Sequence, residues 1–252
     1  VAVRRQRQMC IRDRFNAAEN ISEEGTKQDS LEFSLMKARL EIYYENIPAN
    51  ALRLFESKYA ENPSDANLYG LALAYKKNNN FNEGLASLDK LLEKYPKNLV
   101  LNTTKVDFLS YFNKFNDALD LANKFLEISP KNYPLSISKS QILLNMGQYF
   151  ESEEIIRDQL LRKNDSPELW FMLSETQKTS QNIVGYHQSR AEYFLLLGQD
   201  EKALNQLEFA LQLTQNNFQV SDRIMTKIIE IKFPINKKKS IKKSTKKSAK
   251  SR

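Results

Sequence analysis

Histidine and cysteine are almost absent from the 252-residue sequence, which contains one of each, His187 and Cys10. Hydrolytic zinc sites and histidine-based triads need imidazoles at set spacings, and the chain contains no HExxH motif and no glycine-rich phosphate loop. A single cysteine excludes an intrachain disulfide. We therefore expect no catalytic residue, metal ligand or bound cofactor in this chain, and His187 is expected to serve packing or capping.

Glycine and proline are also scarce, at six and seven residues. Leu, Ala, Lys, Asn and Glu dominate instead, a composition that suits helices and leaves little turn chemistry for a β-rich fold. No stretch approaches the roughly 18 apolar residues of a membrane span, and the first residues lack the apolar core of a secretion signal. Composition thus predicts an all-α protein with no visible targeting signal.

Positive charge is concentrated at the two ends of the chain. Residues 236–252 contain nine Lys or Arg and no acid, and residues 1–14 carry a net +4, so the total of +7 leaves 15–235 at −6. The stretch 1–14 resembles translated adapter sequence, and we interpret it as an artefact or a disordered end. Residues 15–29 are interpreted as a linker. The Lys-rich tail, 232–252, is expected to be disordered and can touch anionic surfaces, but it lacks aromatic residues for base stacking.

Turn signals recur along the middle of the chain. Phe81, Phe115 and Tyr149 each open an acidic helical segment, and the interval between them is constant. That interval, about 34 residues, is typical of tetratricopeptide repeats, in which each unit is two helices joined by a tight turn. For residues 30–231 we predict an all-α, tetratricopeptide-type helical-repeat solenoid that ends in a capping helix at about 216–231, because stacked helix pairs need a covered end.

The repeat spacing changes near the end of the array. The next clear turn after the one at Tyr149 is followed by Asp200, which lies one and a half repeat periods further on instead of one. We therefore predict that one helix, at about 184–197, is shared as the second helix of one unit and the first helix of the next.

Most aromatic residues fall at the packing positions of the repeat and are predicted to lie in the core. Certain first-helix positions are predicted to face the concave groove instead, where polar and aromatic side chains can contact a protein partner. These candidate partner-binding residues are Tyr69, Lys76, Lys77, Thr103, Asp107, Tyr111, Gln141, Asn145 and Glu175.

A more specific pattern lies in residues 185–231. The run HQSRAEY at 187–193, followed by LLGQ, QLEFAL and NNFQ, resembles the C-terminal repeats of the periplasmic β-barrel assembly-enhancing zinc metalloproteases. The segments SLEFSLMKARL at 30–40 and YGLALAY at 69–75 are similar to the start of that family's repeats. The resemblance covers about residues 30–231 and implies a zinc endopeptidase domain, with HExxH, on the N-terminal side of the array and outside this chain.

The resemblance also implies a location and partners. These are the periplasm of a Gram-negative bacterium, the family's own protease domain, the outer-membrane β-barrel assembly machinery and unfolded outer-membrane proteins. The chain would then be the substrate-binding C-terminal part of a zinc metalloendopeptidase. The alternative is a free-standing tetratricopeptide scaffold whose basic arm binds membrane or nucleic acid. The sequence that encodes the region upstream of Phe15 would distinguish the two hypotheses.

Overall fold

The structure is a computed structural model that describes residues 30–214 and 217–233. Within these ranges the chain forms helices and no strand: α1 (Leu31–Tyr44), α2 (Pro48–Glu61), α3 (Asp65–Lys77), α4 (Phe81–Lys94), α5 (Leu99–Tyr111), α6 (Phe115–Ile128), α7 (Tyr133–Asn145), α8 (Tyr149–Arg162), α9 (Pro167–Thr179), α10 (Ile183–Leu196), α11 (Asp200–Leu213) and α12 (Phe218–Lys232). The predicted artefact, the predicted linker and, apart from residues 232 and 233, the predicted Lys-rich tail lie outside the described residues.

The chain divides into two compact units after Lys105, within helix α5. In the first unit, α2 packs against α3, α3 packs against α4, and α1 packs against α3. In the second unit, neighbouring helices from α6 to α12 pack against each other in chain order. Each unit is thus a run of helices that pack against one another and bury apolar side chains between them.

The first helix of each repeat begins after a capping side chain. Ser30, Ser64, Asn98, Asn132 and Ser166 each accept a hydrogen bond from the backbone N–H three residues later, over 3.0 to 3.4 Å. Successive caps are separated by one full repeat period, so the first helices of the repeats begin at that same interval. Replacing such a cap by Ala typically costs about 0.5–2 kcal/mol.

The turns between paired helices repeat at the same interval. Asn79, Asn113, Gly147 and Gln181 adopt left-handed backbone angles, and Gly198 does so only half a repeat period after Gln181, with φ from 59° to 78° in the set. Such a residue ends a helix by exposing its last carbonyls to the following N–H groups. Because α10 lies between two of these turns, it is the second helix beside α9 and the first helix beside α11, which confirms the predicted shared helix. The fold is the all-α, tetratricopeptide-type helical-repeat solenoid predicted from the sequence.

Small residues lie where the helices approach each other most closely. Gly84, Ala118 and Ala203 are buried at the fourth position of their helices, as the repeat register predicts. At Gly70 of α3 the neighbouring helix is so close that a Cβ built there would lie 1.9 Å from Cε1 of Phe55 in α2. A side chain at this position would therefore push the two helices apart.

Hydrogen bonds among Asp65, Lys94 and Tyr95, which we call the polar clamp, join the start of α3 to the end of α4. Asp65, in the first turn of α3, accepts hydrogen bonds from Lys94 Nζ at 2.6 Å and from the Tyr95 hydroxyl at 2.8 Å, both at the end of α4. Burial acts to raise the pKa of Asp65, but the hydrogen bonds from Lys94 and Tyr95 outweigh it, so the pKa lies below its ordinary value. The start of one helix is thus tied to the end of its partner.

The C-terminal core confirms the predicted capping helix. Ala203, Leu207 and Ala210 of α11 are buried against Ile224 and Ile228 of α12. The outer side of α12 is exposed, as expected for the last helix of an array. Among the described residues, no helix is both long enough and apolar enough to cross a lipid bilayer.

Candidate partner-binding surface

Tyr69 is not available to a partner, which corrects one sequence prediction. Its side chain is fully buried. The Tyr69 hydroxyl accepts from Arg39 Nε at 3.0 Å and lies 2.9 Å from Thr104 Oγ1, which also accepts from Arg39 Nη2 at 2.6 Å. Thr104 Oγ1 donates to the Val100 carbonyl, so Tyr69 donates to Thr104. These hydrogen bonds join α1, α3 and α5 within the first unit, so the role of Tyr69 is to connect helices inside the unit.

The other candidates in the first unit are half-buried. Lys77 Nζ donates to the carbonyl oxygen of Ile42 at 2.9 Å and to that of Glu45, both at the C-terminal end of α1. A cation at this end of a helix satisfies free carbonyls and complements the helix dipole. Lys77 therefore caps a neighbouring helix, while Lys76 and Thr103 lie at intermediate burial on α3 and α5.

In the second unit, Asp107 and Tyr111 lie one turn apart on α5. Asp107 is half-buried, and its Oδ1 accepts from Ser138 Oγ of α7 at 2.6 Å. The Tyr111 ring is half-exposed and packs edge-on against Phe112, with 5.1 Å between ring centroids. Asp107 thus connects two successive first helices, and Tyr111 presents an aromatic face to solvent.

Gln141 and Asn145 form an exposed amide pair on α7. The Gln141 Nε2 donates to Asn145 Oδ1 at 3.2 Å, across one helical turn. Each side-chain amide keeps further donor or acceptor capacity. The pair can therefore hydrogen-bond to the backbone N–H and C=O groups of an extended segment that lies across the helix.

Glu175 belongs to a side-chain cluster centred on Arg190 in the second unit. Arg190 of α10 donates to Glu175 Oε1 at 3.2 Å. The guanidinium carbon lies 4.6 Å from the ring centroid of Phe171, 5.2 Å from that of Tyr193 and 5.6 Å from that of Phe194. We call Phe171, Glu175, Arg190, Tyr193 and Phe194 the arginine–aromatic platform. Phe171 remains partly exposed, whereas most aromatic residues were predicted to lie in the core.

The packing of Arg190 fixes the rings of the platform. A planar guanidinium stacks on aromatic faces and is only weakly hydrated, so each such contact contributes about 0.5–1 kcal/mol or more as water is excluded. The rings of Phe171 and Tyr193 also contact each other, with centroids 5.5 Å apart. The platform is therefore a pre-ordered aromatic surface, which reduces the entropy lost when a partner binds.

His187 packs against α11, as predicted. Its Nδ1 lies 2.8 Å from Gln206 Oε1, and its ring centroid lies 5.5 Å from that of Phe209. Across residues 30–214 and 217–233, no group of three or more His, Cys, Asp or Glu side chains could hold a metal ion.

The sequence predictions missed two residues that organise these contacts. Arg39 lies two full repeat periods before Asp107 and so occupies the register of the other candidates. Arg190 gave no such signal, because it lies on the shared helix, outside the regular register of first helices.

The chain matches no protein-family model and no curated protein sequence. It is similar to the solved structure of PilW, a widely conserved type IV pilus biogenesis factor, with 17% identity and a TM-score of 0.55 over 82% of this chain and 97% of that one. PilF of Pseudomonas aeruginosa matches with 12% identity and a TM-score of 0.52, over 81% of this chain and 91% of that one. A tetratricopeptide protein of Thermus thermophilus, TTC0263, has 20% identity and a TM-score of 0.45 over 78% and 98%. Because the sequence identities to PilW and PilF are this low, these two similarities show that the fold is shared and nothing further.

Proposed function

We propose that the chain is a protein-binding repeat scaffold and that its second unit binds extended or unfolded protein segments on the arginine–aromatic platform. The observation that carries this proposal is the set of rings around Arg190, held in place by Glu175 and left partly open at Phe171. Aromatic side chains with few rotatable bonds are the residues that most often anchor protein interfaces. The amide pair of Gln141 and Asn145, in the preceding repeat, supplies contacts for a peptide backbone.

The charge of the platform also limits what it can bind. Arg190 is paired with Glu175, so the carboxylate balances the positive charge of the guanidinium, and the platform offers little net attraction to phosphates. Flat apolar rings favour aromatic and aliphatic side chains instead. A chain that exposes alternating apolar side chains, as an unfolded β-barrel protein does, fits both the rings and the amide pair.

The test uses the full chain and a urea-unfolded outer-membrane β-barrel protein, diluted rapidly and titrated in a fluorescence anisotropy assay. Removing one aromatic anchor by Phe171→Ala is expected to weaken binding by about 5–30-fold, equivalent to about 1–2 kcal/mol. The matched control is Phe150→Ala, which removes an exposed ring from the second helix α8. Equal affinity of the two variants, with both still folded by circular dichroism, would reject the platform as the binding site.

The more specific proposal is that this scaffold forms the C-terminal part of a periplasmic zinc metalloendopeptidase that acts in outer-membrane protein quality control. It is supported by the resemblance of residues 185–231 to the C-terminal repeats of that family. In this case zinc belongs to the preceding protease domain, and the partners are that domain, the β-barrel assembly machinery and unfolded outer-membrane proteins.

Two measurements test the specific proposal. The genomic sequence upstream of Phe15 is expected to encode HExxH behind a secretion signal, whereas an in-frame start would favour a free-standing scaffold. The chain itself is expected to cleave no unfolded substrate, with or without added zinc. Metal-dependent cleavage by the purified chain would overturn the assignment of catalysis to another domain.

A further inference from the structure

Helix α11 departs from the other second helices at two positions. Its third residue is Lys202, whereas α2, α4, α6 and α8 have an acidic residue or asparagine there. Its tenth residue is Phe209, with 51% of its surface exposed, whereas the same four helices have a polar residue there. The equivalents are Asn50, Glu83, Asp117 and Glu151 for Lys202, and Ser57, Lys90, Lys124 and Asp158 for Phe209. Stacking of the repeats therefore requires neither the cation nor the aromatic ring.

Both residues lie on the side of α11 that contacts α10. Lys202 Nζ lies 5.6 Å from the ring centroid of Phe194, and the ring centroid of Phe209 lies 5.5 Å from that of His187. Between these two contacts, Gln206 Oε1 lies 2.8 Å from His187 Nδ1. Positions 202, 206 and 209 follow the spacing of one helical stripe. We call His187, Phe194, Lys202, Gln206 and Phe209 the α10–α11 seam.

The seam continues the arginine–aromatic platform. Phe194 belongs to both, because the Arg190 guanidinium carbon and Lys202 Nζ each lie 5.6 Å from the centroid of its ring. His187 precedes Arg190 by three residues on α10, so their side chains share one face of the helix. A segment that is bound on the platform can therefore extend across the seam on one continuous surface of the second unit.

The chemistry of the seam differs from that of the platform. In the platform, the charge of Arg190 is balanced by Glu175. Lys202 is exposed, and among the described residues no carboxylate forms an ion pair with it. A lysine that rests on an aromatic ring keeps ammonium protons that can be donated to a carboxylate. The exposed ring of Phe209 is held against α10, so an apolar side chain can bury it at little cost in side-chain entropy.

We propose that the α10–α11 seam is a second subsite for the segment bound on the platform, with a carboxylate of the segment on Lys202 and an apolar side chain on Phe209. This inference rests on the proposed function of the platform. Along the surface, the apolar platform is followed by the cation and then by the ring of Phe209. The scaffold therefore prefers unfolded segments in which an acidic residue lies between apolar residues.

The first test gives the full chain residues that its other repeats already have. Phe209→Ser introduces the residue of α2, Ser57, and the matched control Phe150→Asn introduces the residue of α4 and α6, Asn82 and Asn116. Each variant loses one exposed ring from a second helix and is expected to fold. In anisotropy titrations with the urea-unfolded outer-membrane β-barrel protein, Phe209→Ser is expected to weaken binding by about 5–10-fold. Phe150→Asn is expected to bind like the unsubstituted chain.

The second test measures the charge preference at Lys202. Two short fluorescein-labelled peptides of alternating Val and Ser differ only in a central Asp or Lys. At low salt, the unsubstituted chain is expected to bind the Asp peptide about threefold to fivefold more tightly than the Lys peptide. Lys202→Glu, which introduces the residue of Glu83 and Glu151, is expected to reverse this preference. High salt is expected to remove the preference in both chains.

Three results would overturn the second subsite. If Phe171→Ala weakens binding but Phe209→Ser does not, the platform binds the segment and the seam does not. If both variants keep full affinity, the platform and the seam are both rejected. If the unsubstituted chain binds the Asp and Lys peptides equally at low salt, Lys202 does not select an acidic residue.

Discussion

The contact between Gly70 and Phe55 gives the sharpest stability prediction. A carbon–carbon contact is normally about 3.5 Å, whereas a Cβ at Gly70 would lie 1.9 Å from the ring. The Phe55 ring is almost fully buried, and it would have to move by roughly 1.6 Å to restore a normal contact. Overpacking of this kind costs about 1–3 kcal/mol, while Gly→Ala within a helix returns about 0.5–1 kcal/mol. We expect Gly70→Ala to lower the free energy of unfolding by about 1–2 kcal/mol.

Urea unfolding followed by circular dichroism measures this cost, and a double-mutant cycle assigns it to the ring. Phe55→Leu removes the aromatic edge that the new Cβ would meet. The cost of Gly70→Ala is therefore expected to be at least about 0.5 kcal/mol smaller in the Phe55→Leu background than in the unsubstituted chain. The reasoning is wrong if Gly70→Ala stabilises the protein, or if its cost is the same in both backgrounds.

Three further predictions concern the polar clamp, the tyrosine network and the capping helix. The pKa of Asp65 is lowered in the folded chain, so the ionised carboxylate stabilises the fold above the ordinary pKa of 3.8, and this stabilisation is lost as pH falls through the folded value. The difference in free energy of unfolding between the unsubstituted chain and Asp65→Asn should therefore be greatest at neutral pH and shrink in acid. A difference in urea unfolding that does not change with pH would contradict this. Arg39→Met should destabilise the first unit by about 1.5–3 kcal/mol by removing a charged donor to Tyr69 and Thr104, whereas Arg39→Lys should recover part of the loss; identical urea midpoints for all three chains would argue against the network. Ile228→Ala should cost about 2–4 kcal/mol and speed hydrogen exchange in α12 first; unchanged exchange there would mean that α12 does not seal the array.

The helix boundaries and the shared helix could be predicted because they depend on local, repeated chemistry. The side chains of Ser30, Ser64 and Asn98 each fix a helix start by accepting a hydrogen bond from the backbone N–H three residues later. The spacing of these residues in the sequence therefore sets the spacing of the helix starts. The half-period between Gln181 and Gly198 likewise marks two turns with one helix between them.

The candidate surface was predicted less well because it depends on contacts between distant helices. Tyr69 has the register of a groove residue, but its burial requires Arg39 and Thr104, which lie 30 and 35 residues away. The stacking of Arg190 on Phe171 depends in the same way on the angle between α9 and α10. Register alone assigns a residue to a face of its helix, whereas the neighbouring helix decides whether that face is open.

The most direct test of the account is a backbone NMR titration of the chain with an unfolded outer-membrane β-barrel segment. If the arginine–aromatic platform binds the segment, the largest chemical-shift changes will lie at Phe171, Arg190 and Tyr193, with smaller changes at Gln141 and Asn145. Shifts that instead centre on the second-helix residue Phe150, or an absence of any shift at saturating concentrations of the segment, would contradict the proposed binding surface.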